Sequence, residues 1–206
     1  MHLVLLGDSI FDNAAYTRGE PDVVSHLRDL LPRSATATLL AVDGAVIANV
    51  AAQLRRVPDD ATHLVISAGG NDALANSDLL ALPVKSTTEA LELFRRRSEA
   101  FEREYAAMVD AALRHRKPLT LCTIYNGNLG GEEGRIARIA LLLFNDAILR
   151  TAFARALPVV ELRLVCTEPA DYANPIEPSG RGGRKIAQAI VQSLAAEARA
   201  SRVFAA

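Results

Sequence analysis

Short apolar runs that alternate with stretches of helical periodicity constrain this chain more than any other feature. The runs are Leu3–Leu6, Ala37–Val42, His63–Ser67, Leu119–Ile124 and a short one at Pro158–Leu162. Each is too short for a convincing helix and reads as a buried strand. Between the first three lie Pro21–Leu31, with Val23, Val24, Leu27, Leu30 and Leu31 at helical spacing, and Ala45–Leu54. Ser86-Thr87-Thr88-Glu89 has the pattern of a capping box. It opens a long amphipathic stretch whose stripe of Leu91, Phe94, Phe101, Tyr105, Met108 and Val109 runs towards Leu113. Glu132–Ala156 repeats the pattern with Ile136, Ile139, Leu143, Phe144 and Ile148, and Gly183–Ala200 supplies a last helix. Strands separated by helices pair in parallel through right-handed crossovers. The fold class is therefore α/β, a sheet between two layers of helix. With 206 residues and no internal repeat, residues 1–206 read as a single domain.

Bulk properties exclude several functions. Half the residues are apolar and the formal net charge is -1, so neither nucleic acid nor an anionic membrane is the expected partner. No apolar run approaches the ~20 residues that span a bilayer. The first strand begins almost at Met1 with no basic leader before it, which sets the expectation of a cytoplasmic protein. The two cysteines, Cys122 and Cys166, show neither metal-ligand spacing nor a disulfide framework.

In a parallel α/β sheet the carboxyl ends of the strands form the ligand-binding rim. Several polar groups fall there. Gly7-Asp8-Ser9 follows the first run, Val42-Asp43-Gly44 the second and Gly69-Gly70-Asn71-Asp72 the third. A serine hydroxyl, a glycine N–H and an asparagine amide are the parts of an acyl-transfer site, where the hydroxyl attacks and the donors receive the oxyanion. The competing reading of Ser9 is a turn or helix cap.

These blocks, in this order and at these strand ends, resemble the SGNH/GDSL-type hydrolases (esterases and lipases) over nearly the whole chain. The resemblance implies a flavodoxin-like three-layer α/β/α sandwich with a five-stranded parallel sheet. It also implies cleavage of small ester or acyl substrates with no metal and no organic cofactor. By the same resemblance Ser9 is the nucleophile and a backbone oxyanion donor, with Gly44 and Asn71 the other donors.

The last block departs from the family pattern of Asp and, three residues later, His. Here Asn174-Pro175-Ile176-Glu177-Pro178-Ser179 puts Glu177 in the histidine's place and Asn174 in the aspartate's. His2, His63 and His115 lie at the amino ends of strands, roughly 20 Å from the rim, and His26 lies along the first helix. None is placed to act as the base.

Three readings stay open. Glu177 takes the Ser9 proton itself, its poor basicity raised by burial and by Asp8, Asp12, Asp72 or Asp171. Alternatively it positions a water or substrate group, or the chain is a silent ligand-binding protein. A loop carboxylate paired with Arg181 or Arg184 is the structural alternative, and acyl transfer to an alcohol would use the same acyl-serine. Asp8, Asp12, Asp72 and Tyr125 are the candidate substrate-contacting residues, and Asn76–Lys85 and Asn126–Gly134 border the expected entrance. Gly180–Lys185 could cradle a phosphate, although it lacks phosphate-loop spacing.

Overall fold

A computed structural model describes residues 1–195 of the chain. Five strands, β1 (His2–Gly7), β2 (Thr36–Leu39), β3 (His63–Ser67), β4 (Leu119–Cys122) and β5 (Val159–Val160), form one parallel sheet in the order β2-β1-β3-β4-β5. The helices are α1 (Val23–Leu30), α2 (Ile47–Leu54), α3 (Gly70–Ala75), α4 (Thr87–Leu113), α5 (Gly131–Ala154), the short α6 (Leu162–Val165) and α7 (Gly180–Ala195). Short 3-10 turns at Ser77–Ala81 and Pro169–Asp171 complete the set.

The period of two along each strand divides the core between the sheet's faces. Val4 and Leu6, Leu64 and Ile66, and Leu119 and Leu121 point to the side covered by α2, α4 and α5. Leu3, Leu5, Val65, Cys122 and Val160 point to the side covered by α1, α6 and α7. This is the three-layer α/β/α sandwich with a five-stranded parallel sheet, as expected.

Element boundaries shift by a few residues, chiefly at strand ends. The predicted Ala37–Val42, Leu119–Ile124 and Pro158–Leu162 are longer than the paired segments, because apolar residues continue beyond them into the adjoining turns. The first helix begins two residues late, behind Asp22, whose carboxylate accepts from Ser25 N–H at 2.9 Å. At Ser86 the hydroxyl caps Glu89 N–H as expected, but the Glu89 carboxylate accepts from Lys85 N–H rather than from Ser86. The predicted end of the last helix, Ala200, lies outside the described residues.

The α5 stripe is buried only in part: Ile136 is 45% and Ile139 63% exposed. The cause is length. At 1.5 Å per residue, the 27 residues of α4 and the 24 of α5 run about 40 and 36 Å, roughly twice the longest strand. Their C-terminal halves pack on the sheet through Phe101, Tyr105, Phe144 and Ile148. Their N-terminal halves reach beyond it, over the carboxyl rim.

Candidate active site

The site begins where β1 ends. Gly7 has φ +126°, and a Cβ there would lie 1.7 Å from the Ser67 carbonyl oxygen, so no other residue fits. Gln53 of α2 brackets the same peptide. Its Oε1 accepts from Gly7 N–H at 2.7 Å and its Nε2 donates to Gly7 O at 2.8 Å. Asp8 N–H then donates to Ser67 O at 3.1 Å, and Phe11 and Asp12 N–H turn back onto Asp8 O. The tight turn leaves Ser9 at the rim, 7% exposed, with its hydroxyl donating to Glu177 Oε1 at 3.0 Å across 168 residues of chain.

Glu177 is held by its loop from several directions. Asn174 Oδ1 accepts from both Ile176 and Glu177 N–H at 2.9 Å. Ala173 N–H donates to Glu177 O at 2.8 Å. The Tyr125 hydroxyl donates to Ile176 O, and buried Asn13 donates to Pro178 O while accepting from Val23 N–H. Ser179 then caps α7, its Oγ accepting from Gly182 N–H at 3.1 Å. The glycine-rich start of α7 answers to packing: a Cβ on Gly182 would sit 2.0 Å from Asp171 O. That close approach accounts for the run without a phosphate.

Ser9 and Glu177 lie in a cleft of about 140 Å³. Asp8, Asn71 and Tyr125 line it with them, as do Leu74, Leu80, Phe94, Leu129, Leu141 and Phe144. The apolar wall comes largely from the overhanging halves of α4 and α5 and from the segments after α3 and β4, Asn76–Lys85 and Asn126–Gly134, expected at the entrance.

The profile of the GDSL-like Lipase/Acylhydrolase family matches residues 5–200. The chain belongs to this family. Solved lipases and esterases share its fold. A lipase, Lip_vut3, from a goat rumen metagenome superposes with a TM-score of 0.73 at 18% identity, over 94% of this chain and 97% of that one. The extracellular lipase of Streptomyces rimosus gives 0.67 at 15%, over 94% and 99%. The acetyl xylan esterase AlAXEase gives 0.68 at 14%, over 94% and 100%. At these identities the likeness is one of fold. No curated protein matches the sequence.

The remaining GDSL-block residues are distributed unevenly. Asn71, second residue of α3, lines the cleft and uses one amide N–H on Ala45 O at 2.9 Å, leaving its second donor uncommitted. Gly44, at φ +74°, sits in the β2–α2 loop and does not line the cleft. Neither do Asp12 and Asp72. Asp12 accepts from Asp43 N–H at 2.9 Å, tying the Gly44 loop to the Ser9 loop. Asp72 accepts from Ile47 N–H at 3.1 Å and so caps α2 from a different helix. Asp171 is committed to Thr167 and Glu168 N–H and to Lys185, away from Glu177. Arg181 pairs with Glu168 and Asp171 rather than with Glu177. No histidine lines the cleft. His26 lies nearer the site than its helix position implied, but its ring is bonded to Gly180 O at 2.9 Å.

Burial dominates the electrostatics of this GDSL-like site. It pushes the Glu177 carboxyl up to about 7, with the Asp43 charge adding and the Ser9 hydroxyl bond opposing. Burial likewise pushes Asp8 up to about 7, against its hydrogen bond from Ile10 N–H, with the charges of Glu177 and Asp72 adding. Glu177 Oε2 is buried with no hydrogen-bond partner. Among the described residues no three His, Cys, Asp or Glu side chains cluster so as to hold a metal ion.

Gln53 and Asn145 carried no functional signal in the sequence. Asn145 brackets Ile124 just past β4, donating to its O and accepting from its N–H, both at 2.8 Å, as Gln53 does for Gly7. The mark they carry is structural: an amide side chain on the apolar face of a helix, where an uncompensated one is costly.

Proposed function

We propose that this GDSL-family chain is a serine esterase in which Glu177 replaces histidine as the base, acting on esters with an apolar acyl group. The observation that carries the reading is the 3.0 Å hydrogen bond from the Ser9 hydroxyl to Glu177 Oε1. This is contact distance for proton transfer in a resting site. As Ser9 Oγ bonds to the ester carbonyl carbon, its proton passes to Glu177 Oε1. The Ser9 backbone N–H and the free Asn71 amide N–H receive the oxyanion, with the Gly44 N–H completing the set if substrate draws its loop inward. Collapse of the intermediate breaks the C–O bond to the leaving alcohol, and protonated Glu177 returns the proton to that oxygen. A water then repeats the sequence on the acyl-serine.

A free glutamate is too weak a base near neutrality, but one held at about 7 approaches a histidine in proton affinity. The apolar wall of the cleft supports an acyl chain rather than a sugar or a peptide as its occupant.

Incubation with a fluorophosphonate followed by intact-mass measurement tests the nucleophile. One adduct, on Ser9, is expected, and Ser9→Ala removes both the adduct and turnover of p-nitrophenyl esters. Glu177→Gln should lower kcat by about 100- to 10,000-fold, the usual worth of a general base. An unlabelled protein would identify the chain as a binding protein on this fold. A fully active Glu177→Gln variant would return Glu177 to a structural role.

A further inference from the structure

The cleft holds two carboxyls, and the mechanism above uses one. Asp8 directly precedes Ser9, is 3% exposed and lines the cleft together with Glu177. Its side chain accepts a single hydrogen bond, from Ile10 N–H to Oδ1 at 3.2 Å. Among the described residues neither carboxyl pairs with a cation: Arg181 and Lys185 are committed to Glu168 and Asp171, and Arg184 is exposed.

Among the described residues the other titratable groups facing the two are acids. Glu177 is approached by Asp43 and Tyr16 from the loops after β2 and β1, and by Tyr125 from beyond β4. Asp8 is approached by Asp72 of α3, Tyr105 of α4 and Cys122 of β4. Buried negative charge with no counter-ion costs several kcal/mol per ion (about, by continuum reasoning) and favours retained protons.

We propose that Asp8 is a positioning residue for catalysis, coupled to Glu177 as a carboxyl pair in which the buried Asp8 charge makes Glu177 the stronger base. This rests on the reading of Glu177 as the proton acceptor. Two like charges on one cleft bind protons in two steps that belong to the pair. The fully ionised form is the reactive one. In it, the Asp8 carboxylate stays negative while the Ser9 proton moves to Glu177 Oε1, and its field stabilises the proton there until the leaving alkoxide takes it. Burial is the first cause of the rise in both carboxyls; the Glu177 charge adds to it at Asp8, and an interaction between two charges acts on both partners alike. The pair thus supplies the basicity that histidine has intrinsically.

The test is the pH profile of kcat/KM for wild type, Asp8→Asn and Glu177→Gln on a p-nitrophenyl ester. Asn keeps the acceptor for Ile10 N–H, so the turn is retained. The midpoint of the acid limb in Asp8→Asn should fall by about one pH unit, the effect of removing a nearby like charge. The plateau should drop about 3- to 10-fold as the base weakens. A lower plateau with an unmoved midpoint overturns the proposal and leaves Asp8 a structural residue. If that occurs while Glu177→Gln is inactive, only the coupling fails. If Glu177→Gln is fully active, the base assignment fails and the coupling with it. Carboxyl 13C NMR titration of the unsubstituted protein gives a check independent of any variant. Two mutually dependent steps for Asp8 and Glu177 support the pair, and two independent one-proton curves sink it.

Discussion

At the scale of single residues, Glu177 shows how little a residue's identity decides before its surroundings are known. The same carboxylate on an exposed loop would titrate near 4.5, whereas in the cleft it is held at about 7. That difference has a consequence for stability as well as for rate. The folded protein binds the proton more tightly than the unfolded chain, so stability falls as pH rises from about 4.5 to about 7. Glu177→Gln removes the buried charge and should raise Tm at pH 8 by about 2–4 °C, the shift 1 kcal/mol makes in a chain of this size. The gain should vanish at pH 4.5, where wild-type Glu177 is protonated. Calorimetry at the two pH values checks this, and an equal gain at both would show that charge burial is not its source. A site that stabilises the protein when disabled follows the usual trade between activity and stability. Asn174 is informative in the same way. It stands where an aspartate was expected to orient the base, and instead fixes the Glu177 peptide through two backbone bonds.

At the scale of elements, the decisive feature is the overhang of α4 and α5. Periodicity marked both as amphipathic helices, and that reading is correct for Phe101–Ala112 and Phe144–Ala152. It cannot say that a helix outruns its sheet, because the same spacing of apolar residues serves a core face and a cleft wall. Phe94, Ala137, Ala140 and Leu141 therefore form the side of the cleft. A bulkier side chain there should shorten the acyl group accepted. Ala140→Phe is expected to lower kcat/KM for octanoyl and longer p-nitrophenyl esters about tenfold or more while sparing acetyl and butyryl esters. A methylene in an apolar pocket is worth about 10- to 200-fold at most. Uniform loss across the series would place the acyl group elsewhere.

At the scale of the whole molecule, the site exists because α1 and α7, far apart in sequence, are packed against each other. Ser9 comes from the crossover after β1 and Glu177 from the loop between β5 and α7, and α1 and α7 lie side by side on one face of the sheet. Gly183 permits that contact against Val23, and Gly182 lets the start of α7 approach Asp171 O. Gly182→Ala should displace the start of α7, cost about 1–3 kcal/mol in urea unfolding as an overpacking change, and lower kcat by loosening the Glu177 loop. An unchanged denaturation midpoint would show that the loop yields instead.

The sequence by itself determined the parallel α/β sandwich, since apolar runs of strand length between helical stripes have one economical arrangement. It also determined that Ser9 and Asn71 lie on one rim, because both follow buried strands that point the same way. Glu177 was legible only through its register with Pro178-Ser179 before the last helix. The tertiary structure alone decided that Glu177 meets Ser9, that Asp12 and Asp72 serve neighbouring loops and helices, and that Asp8 shares the cleft. It decided too that Gln53 and Asn145 bracket the ends of β1 and β4. The reason is physical: direction along a strand is a local property carried by residues in series. Burial, hydrogen-bond partners and the proton affinity of a carboxyl depend on atoms that the chain brings together from 168 residues away.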